Sequence, residues 1–396
     1  KAEILETEGN PLIHGWFGED AAHRNITVYN HMDVQPANEP EWLADPFTFV
    51  IDGDTYKGRG STDDKGPAVT AFFGALAAKK AGVPLNIHFL WELEEEIGSP
   101  SFEGGLMRHK DRLKTDAIVV SDTVWITRGK PSTPAGLRGL QGFRLTLETA
   151  DHDLHSGVVG GAARNPLSEL ITLVAKMFDG NTGEVKIPGF YDEVIPPTKA
   201  EIASFLKSGF QVRTFKQAYG FKTLRTENPA EVMRRIWAAP TFEVHGLTGG
   251  YHGPGVKTVV PGHGELKISM RLVPSQTPEK VFTLLKKYVA KLNPAVKVER
   301  EGMLHPFRGV FDGPYVEAVK RAVQAGFGKE PAFIREGGSI GAVVTMQKAW
   351  KVPILFMGLS LPEHGYHAPN EYFDWGQASG GMKAFAHYFS ELAENR

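Results

Sequence analysis

Residues 83–100, VPLNIHFLWELEEEIGSP, carry an apolar run straight into four glutamates, Glu92, Glu94, Glu95 and Glu96. The run up to Leu93 reads as a buried strand, so the acids collect at its carboxyl end. Like charges this close repel and raise one another's pKa unless something positive sits among them. The questions are what that positive thing is and which glutamates face it.

Other apolar runs share the design. NITVYNHMD ends at His31 and Asp33, DAIVVSD ends at Asp122, and VPILFMGLS leads into LPEHGYHAPNE. Helix-like stretches such as GPAVTAFFGALAAKKAG lie between them. Strands alternating with helices predict an α/β fold with a parallel or mixed sheet. In such sheets ligands bind beyond the carboxyl ends of the strands, which is where these acids and histidines fall.

The middle of the chain has another rhythm. GFRLTLETA alternates like a half-exposed strand, and NPLSELITLVAKMF follows as a helix with Asn165 as N-cap and Pro166 at its first position. Leu167, Leu170, Ile171, Val174 and Phe178 share one face of it. Later, Leu266, Ile268, Met270 and Leu272 alternate. Thr277-Pro278 then opens a helix carrying Val281, Leu284, Leu285, Tyr288, Val289 and Leu292. This β-α…β-α pattern predicts a smaller α+β lid or dimerisation domain at 137–300, inserted between the two parts of the catalytic domain, 1–136 and 301–396. No internal repeat, heptad or low-complexity segment interrupts it.

Bulk properties narrow the chemistry. The 396 residues carry a formal net charge of -2, which offers no basic footprint for nucleic acid. There is no cysteine, so disulfides, thiolate metal sites and cysteine nucleophiles are excluded, and any transition metal must be held by the 14 His or by Asp and Glu. No apolar run is long enough to span a membrane and no signal-like start is present, which leads us to expect a cytoplasmic protein. The opening KAEILETEGNPLIHGWFG begins directly in strand-and-turn material, as if earlier residues were missing.

Each candidate residue also has a plainer explanation. His31 and Asp33, two apart on a strand, point to one face, as a metal ligand and its orienting carboxylate would. A solvated strand end explains them more simply. Asp63 and Asp64 in GRGSTDDKGP are adjacent, so their side chains diverge and at most one is a direct ligand; a helix N-cap is the competing reading. The glutamate run could be a solvated face. Asp122, His364 and His367 complete the set. Jointly these side chains, each at a strand end or in the loop after it, supply five oxygen or nitrogen ligands. That is too many for one tetrahedral zinc and suits two cations sharing a bridging carboxylate.

With those residues assembled, the sequence resembles the carnosinase and nonspecific dipeptidase branch of the co-catalytic metallo-exopeptidases. More distant relatives are the aminoacylases, succinyl-diaminopimelate desuccinylases and glutamate carboxypeptidases. The matching segments are YNHMDVQPANEPEWLADPF, YKGRGSTDDKGP, ELEEEIGS, VVSDTVW, LRGLQG, DLHSGVVGG, GPGVKTVVP, SMRLVP, REGGSI and GYHAPNE, in family order through nearly the whole chain. The resemblance implies two divalent cations, Zn2+ or Mn2+, bridged by Asp63, one with His31 and Asp122 and the other with Glu96 and His367. It implies Glu95 as general base, with Asp33 among the catalytic residues and a cis peptide at Asp63–Asp64. It further implies a homodimer in which His155 of LHSG reaches into the partner's site to stabilise the oxyanion. Arg271 would grip a substrate carboxylate, and Thr258 and the Gly337, Gly338, Ser339 loop would make further substrate contacts. Related chains carry several tens of residues before the first strand that this sequence lacks.

The expected activity is therefore hydrolysis of dipeptides or short peptides with a free C-terminal carboxylate. Two rivals stand beside it. An N-acyl-amino-acid deacylase would use the same two-metal site; Asp122, where carboxypeptidase-like relatives tend to carry Glu, and HMDVQPA favour the dipeptidase. A non-catalytic binding protein retaining the fold would have lost the base or a ligand, and none is lost here.

Overall fold

The computed structural model describes residues 1–394. Its centre is a six-stranded sheet in the order Ala2–Leu5, Leu12–Phe17, Leu85–Glu92, Arg24–His31, Ala117–Val120, Ile354–Phe356. The first two junctions are antiparallel and the other three parallel, giving a mixed sheet. Successive side chains on a strand face opposite ways, and the core divides accordingly. Ile26, Val28, Ala117 and Val119 pack with helices Gly66–Lys80, Pro314–Phe327 and Trp375–Glu394. Tyr29, Ile118 and Val120 pack on the other face with helices Phe102–His109 and Gly341–Trp350. Strands covered on both faces need apolar residues at every position, which is why these segments read as unbroken runs.

The order in which strands are added reverses within this sheet. From Arg24–His31 the chain crosses through a helix to its neighbour Leu85–Glu92 on one side, then returns to Ala117–Val120 on the other. The crevice beyond the ends of Arg24–His31 and Ala117–Val120 is thus a topological switch point, the place where such sheets bind ligands. His31 ends one of these strands and Asp122 follows the other by two residues.

A second sheet is antiparallel, ordered Glu243–Thr248, His263–Leu272, Gly139–Glu148, Lys297–Leu304, its last strand running past the boundary expected at residue 300. Helices Pro166–Met177 and Pro278–Leu292 contribute Leu170, Leu173, Met177, Val281, Leu285 and Val289 to its core. Asn165 accepts from the amides of Leu167 and Ser168, and Thr277 accepts from Lys280, so both helices begin where their capping residues predict. The buried stripe of the first helix is rotated from the expected one. Leu170, Leu173 and Met177 face the sheet, while Ile171, one residue and about 100° round from Leu170, is 57 % exposed. The helices Lys199–Lys207, Val212–Ala218 and Pro229–Trp237 do not add to this sheet's core. Phe205, Met233 and Trp237 pack instead on Ile334 of strand Ala332–Glu336, which pairs with Ser132–Leu137 in a separate three-stranded sheet. Among the described residues no helix is long and apolar enough to cross a membrane.

Candidate metal centre

His31, the last residue of its strand, is 1 % exposed. Its Nδ1 lies 3.1 Å from the Asp33 carbonyl and 3.3 Å from Asp33 Oδ1. That contact fixes the ring and leaves Nε2 facing the cluster, the arrangement of a metal-ligating histidine and its orienting carboxylate. Asp33 does more than this. Its two carboxylate oxygens also accept the backbone N–H groups of Glu95 and Glu96, at 3.2 and 2.9 Å, so one side chain ties the histidine to the glutamate turn.

The four glutamates part company. Glu92 accepts from the Tyr29 and Ser99 hydroxyls, and burial pushes its carboxyl up to about 7. Glu94 accepts the amides of Asn10 and Ser101, so it braces neighbouring loops. The tight turn Glu95–Ile97 sends the other two to the cluster. Glu96 Oε2 lies 3.2 Å from His367 Nε2 and accepts from Gln35 Nε2 at 2.6 Å. Burial first, then the charge of Asp122, pushes the Glu95 carboxyl up to about 9.

Asp63 sits at the junction. Its Oδ1 is 2.9 Å from His31 Nε2 and its Oδ2 is 2.8 Å from His367 Nε2. The Asp63–Asp64 peptide is cis. Asp64 turns the other way and accepts from Asn30 Nδ2 at 2.6 Å, as expected for adjacent side chains. Asp122 places Oδ2 4.0 Å from His31 Nε2, accepts from the Tyr366 hydroxyl through Oδ1, and is raised to about 6 by burial. Two groups result, His31–Asp63–Asp122 and Asp63–Glu96–His367, each with one ligand atom per residue lying within 4.8 Å of the others, and Asp63 belongs to both. His364 stays out: it is fully buried, with Nε2 against Asp374 at 3.0 Å while Nδ1 accepts the Leu361 amide.

These residues fit a pair of divalent cations. Glu96 Oε1 and Asp63 Oδ2 are buried atoms without a hydrogen-bond partner, though Asp63 Oδ2 nearly touches a histidine nitrogen. Orphaned buried carboxylate oxygens, one of them beside an imidazole nitrogen, are costly unless a cation completes them. Imidazole and carboxylate donors without thiolate suit first-row divalent metals.

The substrate candidates lie in two places. Arg271 donates from Nη1 to Ser339 Oγ at 3.2 Å, and Ser339 donates to the Arg138 carbonyl, with Gly337 and Gly338 in the same loop. Among the described residues neither Arg138 nor Arg271 has a carboxylate within ion-pair distance. His155 and Thr258 come together on a two-stranded ribbon in which His155 pairs with Val259. Both are exposed, and the contact His155 makes is with the Gly157 amide, not with the cluster.

Sequence reasoning gave no role to Glu371, the last residue of GYHAPNE, which is fully buried. Its carboxylate accepts from Arg59 Nη1 at 2.8 Å and from the amides of Gly60, Thr62 and Asp63 at 2.9, 2.8 and 3.0 Å. It thereby holds the loop that presents Asp63. Gln35, Asn30 and Tyr366 support Glu96, Asp64 and Asp122 in the same way. All of them lie close in sequence to a candidate ligand or its motif, which was the available signal.

The known proteins this chain resembles are peptidases. The sequence profile of peptidase family M20/M25/M40 matches residues 27–391. A Cys-Gly metallodipeptidase of Schizosaccharomyces pombe is 34 % identical over 396 residues, covering 97 % of this chain and 83 % of the relative. The Beta-Ala-His dipeptidase of Homo sapiens is 34 % identical over 397 residues, covering 97 % and 78 %. A solved metallo-carboxypeptidase of Sulfolobus solfataricus superposes with a TM-score of 0.90 at 30 % identity, over 99 % of this chain and 90 % of that one.

Proposed function

The chain belongs to peptidase family M20/M25/M40, and on that premise we propose that it is a metal-dependent dipeptidase whose two cations, Zn2+ or Mn2+, are held by His31, Asp63, Asp122, Glu96 and His367. The observation that carries this is Asp63, whose two oxygens face two histidines from separate ligand groups. When bound, the cations supply Lewis acidity and a water acidified toward neutrality.

The protein's own groups do the rest. Glu95, half-buried beside the cluster and unused as a ligand, would be ionised once the cations offset the charge of its acidic neighbours, and takes the proton from the attacking water and returns it to the leaving amine. Asp33 keeps His31 in one tautomer and positions the Glu95 turn. Arg271 and Ser339 receive the C-terminal carboxylate, a task for which the guanidinium's planar donors are suited. His155 and Thr258 serve the partner's site in a homodimer, His155 steadying the oxyanion. Val158 and Val256, 81 % and 93 % exposed near that ribbon in the single chain, support a second subunit there.

The test is amino-acid release by metal-reconstituted protein from alanylglycine and from N-acetylalanylglycine, with wild type and Glu95→Gln. Cleavage of the free dipeptide alone, with the variant inactive, is the expected result. Cleavage of the acetylated form in preference moves the protein to the deacylases. No cleavage of either despite bound metal refutes the hydrolytic reading.

A further inference from the structure

His364 is a histidine that the cluster leaves out, and its surroundings give it another task. It is fully buried. The Leu361 amide donates to its Nδ1 at 3.1 Å, so Nδ1 is the acceptor and the ring proton sits on Nε2, 3.0 Å from Asp374 Oδ2. Arg128 donates to the same Asp374 oxygen at 2.8 Å, and the Gln377 amide donates to Asp374 Oδ1 at 2.8 Å. One edge of the ring is thereby fixed. At the other edge Nδ1 lies 3.0 Å from the Thr62 hydroxyl, which also stands 2.9 Å from Ser360 Oγ. Thr62 is fully buried as well, and the next residue is Asp63.

This contact joins the two segments that bring Asp63 and His367 together, with Oδ2 and Nε2 2.8 Å apart. His367 needs such a hold more than the other candidate ligands do. The side chains of His31, Asp63, Asp122 and Glu96 are at most 5 % exposed, whereas that of His367 is 49 % exposed. Its φ of 57° lies in the left-handed region, which a residue with a side chain keeps only where its surroundings impose it. Burial does not hold this ligand, so its flanking residues must. Glu371 ties the far end of the segment to the amides of Gly60, Thr62 and Asp63, and His364 is the matching tie at the near end. We propose that His364 is a positioning residue for one of the two cations, the one held by Asp63, Glu96 and His367, and that it acts by tying the His367 segment to Thr62. The inference rests on the two-cation reading and deepens it: half of the centre depends on a side chain that touches neither cation nor substrate. The other half has ties of its own, Asp33 for His31 and Tyr366 for Asp122. Asp63 keeps its Glu371 contact when His364 is replaced, so the loss falls on His367.

The test titrates Mn2+ into metal-free protein and reads the unbound ion by electron paramagnetic resonance. Wild type is expected to take up two ions. His364→Gln presents an amide N–H toward Asp374 but no acceptor to Leu361 and Thr62. It should weaken one ion about 10–100-fold and leave the other within about threefold of wild type. His364→Asn, whose Oδ1 takes the place of Nδ1, should recover most of that loss. In a His367→Ala background the second ion's site is already broken, and adding His364→Gln should change the remaining affinity less than about twofold. Thr62→Val removes the hydroxyl at the other end of the contact; it should weaken the same ion, and it serves if the glutamine variant folds poorly. Parallel weakening of both ions, a further loss in the His367→Ala background, or failure of asparagine to recover binding would make His364 a residue of the fold alone and overturn the proposal. An unchanged titration in His364→Gln or Thr62→Val overturns it as well, with the two-cation reading intact. A wild-type protein that takes up a single ion refutes the two-cation reading and this inference together.

Discussion

Replacing Glu371 by glutamine should loosen the loop that presents Asp63, and the size of the effect follows from its four contacts. Two donors meet each carboxylate oxygen: the amides of Thr62 and Asp63 on Oε1, Arg59 and the Gly60 amide on Oε2. Whichever way a glutamine side chain is placed, its NH2 faces two buried donors, and both lose their acceptor. Hydrogen bonds to a charged group contribute about 1.5–3 kcal/mol each, and breaking a buried ion pair by removing one member costs about 3–5 kcal/mol. These describe overlapping losses, so the net destabilisation is about 3–5 kcal/mol. With an unfolding entropy of about 2.1 cal/mol/K per residue, 396 residues give about 0.8 kcal/mol/K, and Tm should fall by about 4–6 °C if the chain unfolds as one unit. The Asp63 carboxylate would lose its fixed aim, and loss of such supporting contacts typically weakens metal binding about 10–100-fold. Differential scanning calorimetry gives the first quantity and titration of Mn2+ into metal-free protein the second. A Tm within 1 °C of wild type together with unchanged metal affinity would refute the reasoning, because the loop would then be held by something other than Glu371.

Chelation should abolish hydrolysis and re-addition of Mn2+ or Zn2+ restore it, while Asp63→Ala should reduce metal content at both positions, since Asp63 belongs to both ligand groups; elemental analysis decides, and full occupancy in the variant would contradict the bridging role. Arg271→Lys should raise KM for dipeptides at least tenfold with a smaller change in kcat, because an ammonium cannot reproduce the guanidinium's paired donors; steady-state kinetics that show a kcat effect alone would argue against carboxylate binding. Stability should also depend on pH away from the metal centre. His88, packed beside His14 with their nitrogens 3.0 Å apart, is pushed down to about 4 by burial and then by His14. Its folded value lies below the unfolded value near 6.5, so the unfolded chain takes up a proton the folded chain refuses, and stability falls as pH drops from about 6.5 to 4, by at most about 3 kcal/mol. His88→Leu should flatten that part of the Tm-against-pH curve, and an unchanged slope would show that other groups dominate.

The local pattern of this protein is open in its sequence because it depends on near neighbours. Alternation along strand His263–Leu272, the Asn165 and Thr277 caps, and apolar strands that end in acids or histidines all appear as expected. Burial on one face or on two imposes a period, and a period is written in consecutive residues. The candidate ligands were recognisable for a related reason: their chemistry is carried by residue type at strand ends. Sequence alone also showed that no cysteine could take part. It could not show that Leu170 rather than Ile171 faces the sheet, because several apolar residues compete for a stripe whose rotation is set by what packs beneath it. The division of the glutamates came from the family resemblance, which set Glu95 and Glu96 to work; residue type and spacing alone did not reveal that Glu92 and Glu94 are claimed by Tyr29, Ser99, Asn10 and Ser101. The support of Asp63 by Glu371 and the approach of Ser339 to Arg271 join residues 308 and 68 positions apart. Contacts at that separation leave no periodic trace in the chain, because they exist only once the sheets and helices have closed on one another, and it was this closure that decided how the acids, histidines and arginines are aimed.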